Sequence, residues 1–320
     1  MYELELMRTA QRIVKDVMNV REHHKVLVVT DPAKLKVANA IALVCRGIGA
    51  ETVLMLMPLM SEHGNEPPDA VAAAMRVSDI VFAPTTHAIT HTRARLNAAA
   101  SGTKIMILRG VDEDMMTKGA MSVDFNELRE VTARVAEVLS GTDEVQVTSP
   151  AGTSVTFSIK GRKTFRLDGF YQEEMGFAAM PGGECPTSPV EGTTEGTIVV
   201  DYSMDSIGRL SQPLVFTVKG GRVTSVEGAP HEVRMIEMLF ERDENARNIA
   251  EFSIGTNRGA RLIGNLAEDK KLLGTVHFAI GDNKSLGGQV ESIVHLDGVL
   301  LNPTVVADGK VLVKEGKLLI

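Results

Sequence analysis

What most limits the fold of this chain is a change of pattern at Gly141. Before it, short unbroken apolar runs at residues 25–29, 51–57, 79–82 and 104–108 alternate with segments of helical periodicity at 33–46, 69–77 and 92–100. Strands that are apolar on both faces and separated by helices build a parallel sheet covered on both sides. A further helix is expected over 124–139, with Gly141 as its C-terminal stop. Beyond Gly141 the apolar residues alternate with polar ones. Turn residues at 149–152, Lys160-Gly161, Gly220-Gly221, Asp308-Gly309 and Glu315-Gly316 mark hairpin connections, and one helix, over 230–246, interrupts them. The expected architecture is an α/β N-terminal domain with a mostly parallel sheet, residues 1–142, followed by an α+β, antiparallel β-rich domain, residues 143–320. At 320 residues and 44% hydrophobic, the chain has the length at which one core commonly divides.

The first domain is Rossmann-like in its alternation but lacks the nucleotide motif. Its first strand-to-helix turn reads Val29-Thr30-Asp31-Pro32-Ala33, with no glycine to let a pyrophosphate reach the backbone. In Gly47-Ile48-Gly49, which follows a helix, Gly49 is expected to end that helix in a left-handed conformation. His87 and His91 follow a strand at the edge where open α/β sheets bind ligands, but a solvated loop with Thr90 capping the next helix explains them as well. A net charge of -7 without a basic stripe argues against nucleic acid. Residues 1–20 read as an amphipathic helix rather than an export signal, and no apolar run is long enough for a membrane span. Two distant cysteines, Cys45 and Cys185, fit a reducing compartment; the cytoplasm is the expected location.

The second domain holds the residues with metal-ligand chemistry. In His295-Leu296-Asp297 the first and third side chains project to one face of a strand, a natural chelate, while Leu296 faces the other way. His277 shares a face with small Thr275 and Ala279, Glu251 opens another strand-like stretch, and Glu184 follows Gly182-Gly183, whose glycines permit close backbone approach. Each alone has a structural alternative in a hydrogen-bonded pair, a salt bridge or a solvated turn. Together, groups this costly to bury are best compensated by a shared cation. Three carboxylates facing two divalent ions leave one positive charge, enough to hold a hydroxide, which favours two ions of Zn, Co or Mn.

These motifs resemble the aminopeptidase T/aminopeptidase S family of metallopeptidases. The resemblance runs in order through Gly183-Glu184, Pro189, Thr194-Glu195-Gly196-Thr197, Glu251 with Gly255-Thr256-Asn257, His277 with Gly281, Gly287-Gly288 and His295-Leu296-Asp297, over about half the chain. It implies a two-metal site of Glu184, Glu251, His277, His295 and Asp297, a homodimer of two-domain subunits, and a role for Glu195 as general base or partner of a ligand. For Glu195, closure of a turn is an equal alternative. The family's tyrosine after the histidine matching His277 is missing from Asp282-Asn283-Lys284-Ser285, and the chain is shorter than typical members. The same superfamily includes dihydroxypyridine ring-opening dioxygenases. They resemble this chain in length and in the terminal HxD, but carry a mononuclear Fe(II) site with histidine where Glu251 stands and no ligand at Glu184 or His277.

Three readings follow. The leading one is a metal-dependent aminopeptidase acting on small peptides through metal-activated water. The alternative is a non-haem Fe(II) dioxygenase opening a dihydroxypyridine-like ring, and the third is a non-catalytic dimeric metal-binding scaffold.

Overall fold

The computed structural model describes residues 2–320. It divides into two compact units that the chain visits more than once: one runs to Phe125 and takes in Asp168–Gly182, the other comprises Asn126–Leu167 and Gly183–Ile320. The single boundary expected at 142 is corrected in two places. The helix Phe125–Ser140 places Val135, Ala136 and Leu139 in the core of the second unit, so it belongs there. Conversely, Ala178 and Met180 pack into the core of the first.

The first unit is the expected parallel sheet. Strands β1 (Lys25–Thr30), β2 (Glu51–Leu56), β3 (Ile80–Ala83) and β4 (Lys104–Ile107) lie in the order β2-β1-β3-β4, with the short strand Ala178–Ala179 added beside β4. Helices between the strands cover it, and Gly49 at φ 94° ends Leu35–Ile48 as expected. The cap at the next-but-one helix is Thr92 rather than Thr90; its hydroxyl accepts from Arg95 N at 3.2 Å. Among the described residues no helix is long and apolar enough to cross a membrane.

The second unit holds two antiparallel sheets. The eight-stranded one runs Arg222–Glu227, Leu214–Lys219, Glu195–Val200, Ser154–Ser158, Glu144–Thr148, Thr304–Ala307, Lys310–Lys314 and Lys317–Leu318. Four of the five expected turns close hairpins in it; Lys160-Gly161 does not, because the chain leaves for a bridge at Thr164 and then the first unit. The five-stranded one centres on β5 (Ile249–Ile254), β6 (Val276–Gly281) and β7 (His295–Leu300), followed by Ser203–Met204 and Gly208–Arg209. Phe252, Phe278, Ile280, Leu296 and Leu300 from this sheet join Phe157 and Val155 of the other in one apolar core, with the rings of Phe157, Phe252 and Phe278 at 5.0–5.6 Å.

Candidate metal centre

Strand alternation decides what stands on the opposite face of the five-stranded sheet. With Phe252, Phe278 and Leu296 turned into the core, Glu251, His277, Ala279, His295 and Asp297 share the other side. The register then sets the spacing: Ala279 pairs with Glu251 on one flank and with Asp297 on the other, and Gly281 pairs with His295. Small residues on the middle strand leave the room between the two carboxylates, as the sequence pattern at His277 anticipated. Glu184 arrives from outside the sheet, on a segment bridged to Leu167 and Gly255. The glycine ahead of it is required. Gly183 has φ 119°, and a Cβ there would lie 2.5 Å from that of Asn257.

All five expected ligands come together. One atom each from Glu184, Glu251 and His277 lies within 4.8 Å of the others, and so does one each from Glu251, His295 and Asp297, with Glu251 common to both groups. His277 Nε2 donates to Glu251 Oε1 at 2.9 Å, while Glu251 Oε2 lies 3.0 Å from His295 Nε2. On the far side of its ring, His295 Nδ1 donates to the Asp282 carbonyl at 2.7 Å, which turns Nε2 toward the carboxylates. Asp297 Oδ1, Glu184 Oε2 and His277 Nδ1 are buried without a hydrogen bond. Unsatisfied buried oxygens next to an oriented imidazole fit a cation.

Two residues that the sequence did not flag sit among these ligands. Lys270 Nζ is 2.8 Å from Asp297 Oδ2 and 3.4 Å from Glu184 Oε2, and Lys271 Nζ pairs with Glu184 Oε1. Their charges shape the titration of the whole group. Burial raises the Glu184 carboxyl, but Lys270 and Lys271 outweigh it and hold it below its ordinary value. Burial and Asp297 raise Glu251, and the hydrogen bonds from His277 and His295 bring it down to about 2. For Asp297, burial is overcome chiefly by Lys270, and the carboxyl stays well below its usual range. Lys271 is lowered by burial to about 8 despite Glu184, whereas Lys270 is raised, its burial outweighed by Asp297 and Glu184.

Glu195 is not among these groups. It is exposed at the start of a strand of the eight-stranded sheet, and its carboxylate accepts the Gly220 N–H at 2.7 Å. That is turn closure, and the expected role as general base is corrected accordingly. In the first unit, the ring of His87 stacks edge-on against His63 at 4.9 Å, and His63 Nδ1 accepts from Ala88 N at 2.9 Å, so these histidines knit two loops together.

The model of the family NicX: 2,5-dihydroxypyridine 5,6-dioxygenase matches residues 7–320. Among solved structures, the chain is similar to the 2,5-dihydroxypyridine dioxygenase from Pseudomonas putida KT2440, with 19% identity and a TM-score of 0.84 over 98% of this chain and 96% of that one. It is also similar to wild-type AmpT from Thermus thermophilus, with 14% identity and a TM-score of 0.73 over 100% of each chain. No curated protein matches.

Proposed function

The chain belongs to the 2,5-dihydroxypyridine 5,6-dioxygenase family, and from that premise we propose that it is a dioxygenase that opens a small hydroxylated heteroaromatic ring with one divalent iron ion. The aminopeptidase reading of the sequence gives way, because the family match favours the ring-opening alternative while the likeness to AmpT is a likeness of fold. In the proposed reaction both atoms of dioxygen enter the product as one ring bond opens, so no external reductant is consumed.

The observation that carries this reading is the pair of lysines. Without fixed cations, three carboxylates favour two ions. With Lys270 and Lys271 on Glu184 and Asp297, and with the histidines neutral as a metal ligand requires, the cluster bears a single excess negative charge. One divalent ion makes it mildly positive, which suits an ionised ring hydroxyl; two ions would leave three positive charges packed together. The residues that would hold one ion are Glu251, His295 and Asp297. When bound, iron would supply the one-electron chemistry through which dioxygen reacts with a closed-shell ring. Glu251 takes the place of the histidine that the dioxygenase resemblance implies, so the donor set has two carboxylates and one imidazole.

The protein's own contribution is positioning. His277, fully buried, donates to one Glu251 oxygen and leaves the other facing His295. His295 is the most open member, with 28% of its side chain exposed against 0% for His277, so a ring enters from its side. The Lys270 side chain, 13% exposed, brings its ammonium to the same cluster and favours the ring as an anion.

Oxygen uptake by purified protein loaded with Fe(II), on a panel of dihydroxypyridines, tests the proposal. Uptake with loss of the ring chromophore is expected; no uptake on any member of the panel would overturn it. One observation keeps a second reading open. Glu184, Glu251 and His277 form a second ligand group sharing Glu251, as a two-ion hydrolase requires. Release of N-terminal residues from peptides by a chain holding two ions would establish that reading instead.

A further inference from the structure

The two lysines follow the short helix Leu266–Asp269, and the residues ahead of them anchor that stretch in the unit. Glu268 and Asp269 are fully buried. Arg261 grips the first carboxylate at 2.9 and 3.1 Å, and the second accepts the N–H of Ile263 at 2.7 Å and the Ser203 hydroxyl at 2.9 Å. Backbone bonds between Asn257 and both Lys271 and Leu273, at 2.8 and 3.0 Å, fix the other end. A run of four charged residues is thus pinned inside the unit, and the two ammoniums are delivered to the ligand cluster by the backbone around them.

Where Lys270 lands is the point. Its Nζ contacts Asp297, from one ligand group, and Glu184, from the other, while Lys271 occupies the remaining Glu184 oxygen. Glu184 therefore faces an ammonium at each oxygen, Lys271 on Oε1 and, at ion-pair distance without a hydrogen bond, Lys270 on Oε2. Asp297 is taken up on Oδ2 alone, and its Oδ1 stays without a hydrogen bond, 3.5 Å from His295 Nε2. In the group Glu251, His295 and Asp297, Asp297 Oδ1 is free and Glu251 Oε2 faces His295 Nε2 at 3.0 Å, a contact that a cation can take over; in the group Glu184, Glu251 and His277, ammoniums already stand on Glu184.

We propose that Lys270 sets the ion count of this centre: its ammonium stands where a second cation would, and a neutral side chain at that position opens the Glu184, Glu251 and His277 group to a second ion. This rests on the reading of the cluster as a metal centre and adds the residue that separates a one-ion site from a two-ion site on a shared set of ligands.

The test is a metal count with Mn(II) alone. Metal-stripped wild type, K270M and K270R are titrated with excess Mn(II), freed of unbound metal by gel filtration, and read by elemental analysis and electron paramagnetic resonance. Wild type and K270R should hold one ion per chain with the spectrum of an isolated Mn(II). K270M should rise to two, with the spectrum of a spin-coupled pair. One ion in folded K270M, or a coupled pair in wild type, overturns the proposal. If K270M does not fold, wild type and K270R decide, since a second ion entering beside either cation is equally fatal. Neither ring substrate nor dioxygen takes part in the count. Silence of wild type in the oxygen-uptake assay therefore overturns the proposed reaction and leaves the role of Lys270 standing, whereas a single ion in K270M, with uptake by wild type, does the reverse.

Discussion

In the metal-free chain His295 carries a proton that an incoming ion must displace. Burial lowers its pKa, but the carboxylates of Asp297 and Glu251 outweigh that and set it well above the ordinary 6.5. A raised value of this kind stabilises the metal-free fold fully below about 6.5, and that stabilisation is lost as pH climbs through the raised value. Ion binding runs the other way. Apparent affinity for Mn(II) should increase with pH across the neutral range, with a proton released per ion, measured by calorimetry in buffers of different ionisation enthalpy; affinity independent of pH would contradict the assignment of His295 as a ligand. The five proposed ligands were legible in the sequence because polar groups on apolar strands stand out against their neighbours. Lys270 and Lys271 were not. Glu268-Asp269-Lys270-Lys271 has the composition of a solvated run, and only the anchoring by Arg261, Ile263 and Ser203 reveals that Glu268, Asp269 and Lys271 are buried. Glu195 shows the opposite error, since a motif resemblance carried a residue toward the chemistry that its exposed turn keeps out.

The three central strands of the five-stranded sheet make the centre by register as much as by residue type. Ala279, fully buried, sits between Glu251 and Asp297 in the pairing, so its small size is what leaves a gap for an ion. Ala279→Leu should fill that gap. It is expected to abolish Mn(II) binding and cost about 1–3 kcal/mol from overpacking while circular dichroism still reports the native β content; a variant that binds the ion as wild type does would show that the gap lies elsewhere. The strand pattern predicted this arrangement because period-two alternation fixes which side chains share a face. It could not predict Leu266–Asp269. Four residues with a single Leu give too little periodicity to register as a helix, and Asn265, whose side chain accepts from Ala267 N, is the only local signal.

At the level of the whole chain, the pattern change at Gly141 correctly separated a parallel from an antiparallel half but misplaced the cut. Helical periodicity says which face of 125–140 is apolar, not which core that face enters. A fragment of residues 143–320 lacks Val135, Ala136 and Leu139 of its own core. It should melt well below a fragment starting at 126, as read by thermal denaturation; equal melting temperatures would mean that the helix contributes nothing there. The first unit has the matching dependence on a late piece of chain. Its sheet gains its last strand from Ala178–Ala179, and Asp168–Gly182 lies beyond two strands of the other unit in sequence. During synthesis, then, the N-terminal layer emerges early yet cannot complete its edge until the ribosome has passed residue 182. The exposed side of β4 waits unpaired in the meantime, a nascent surface for chaperones to shield.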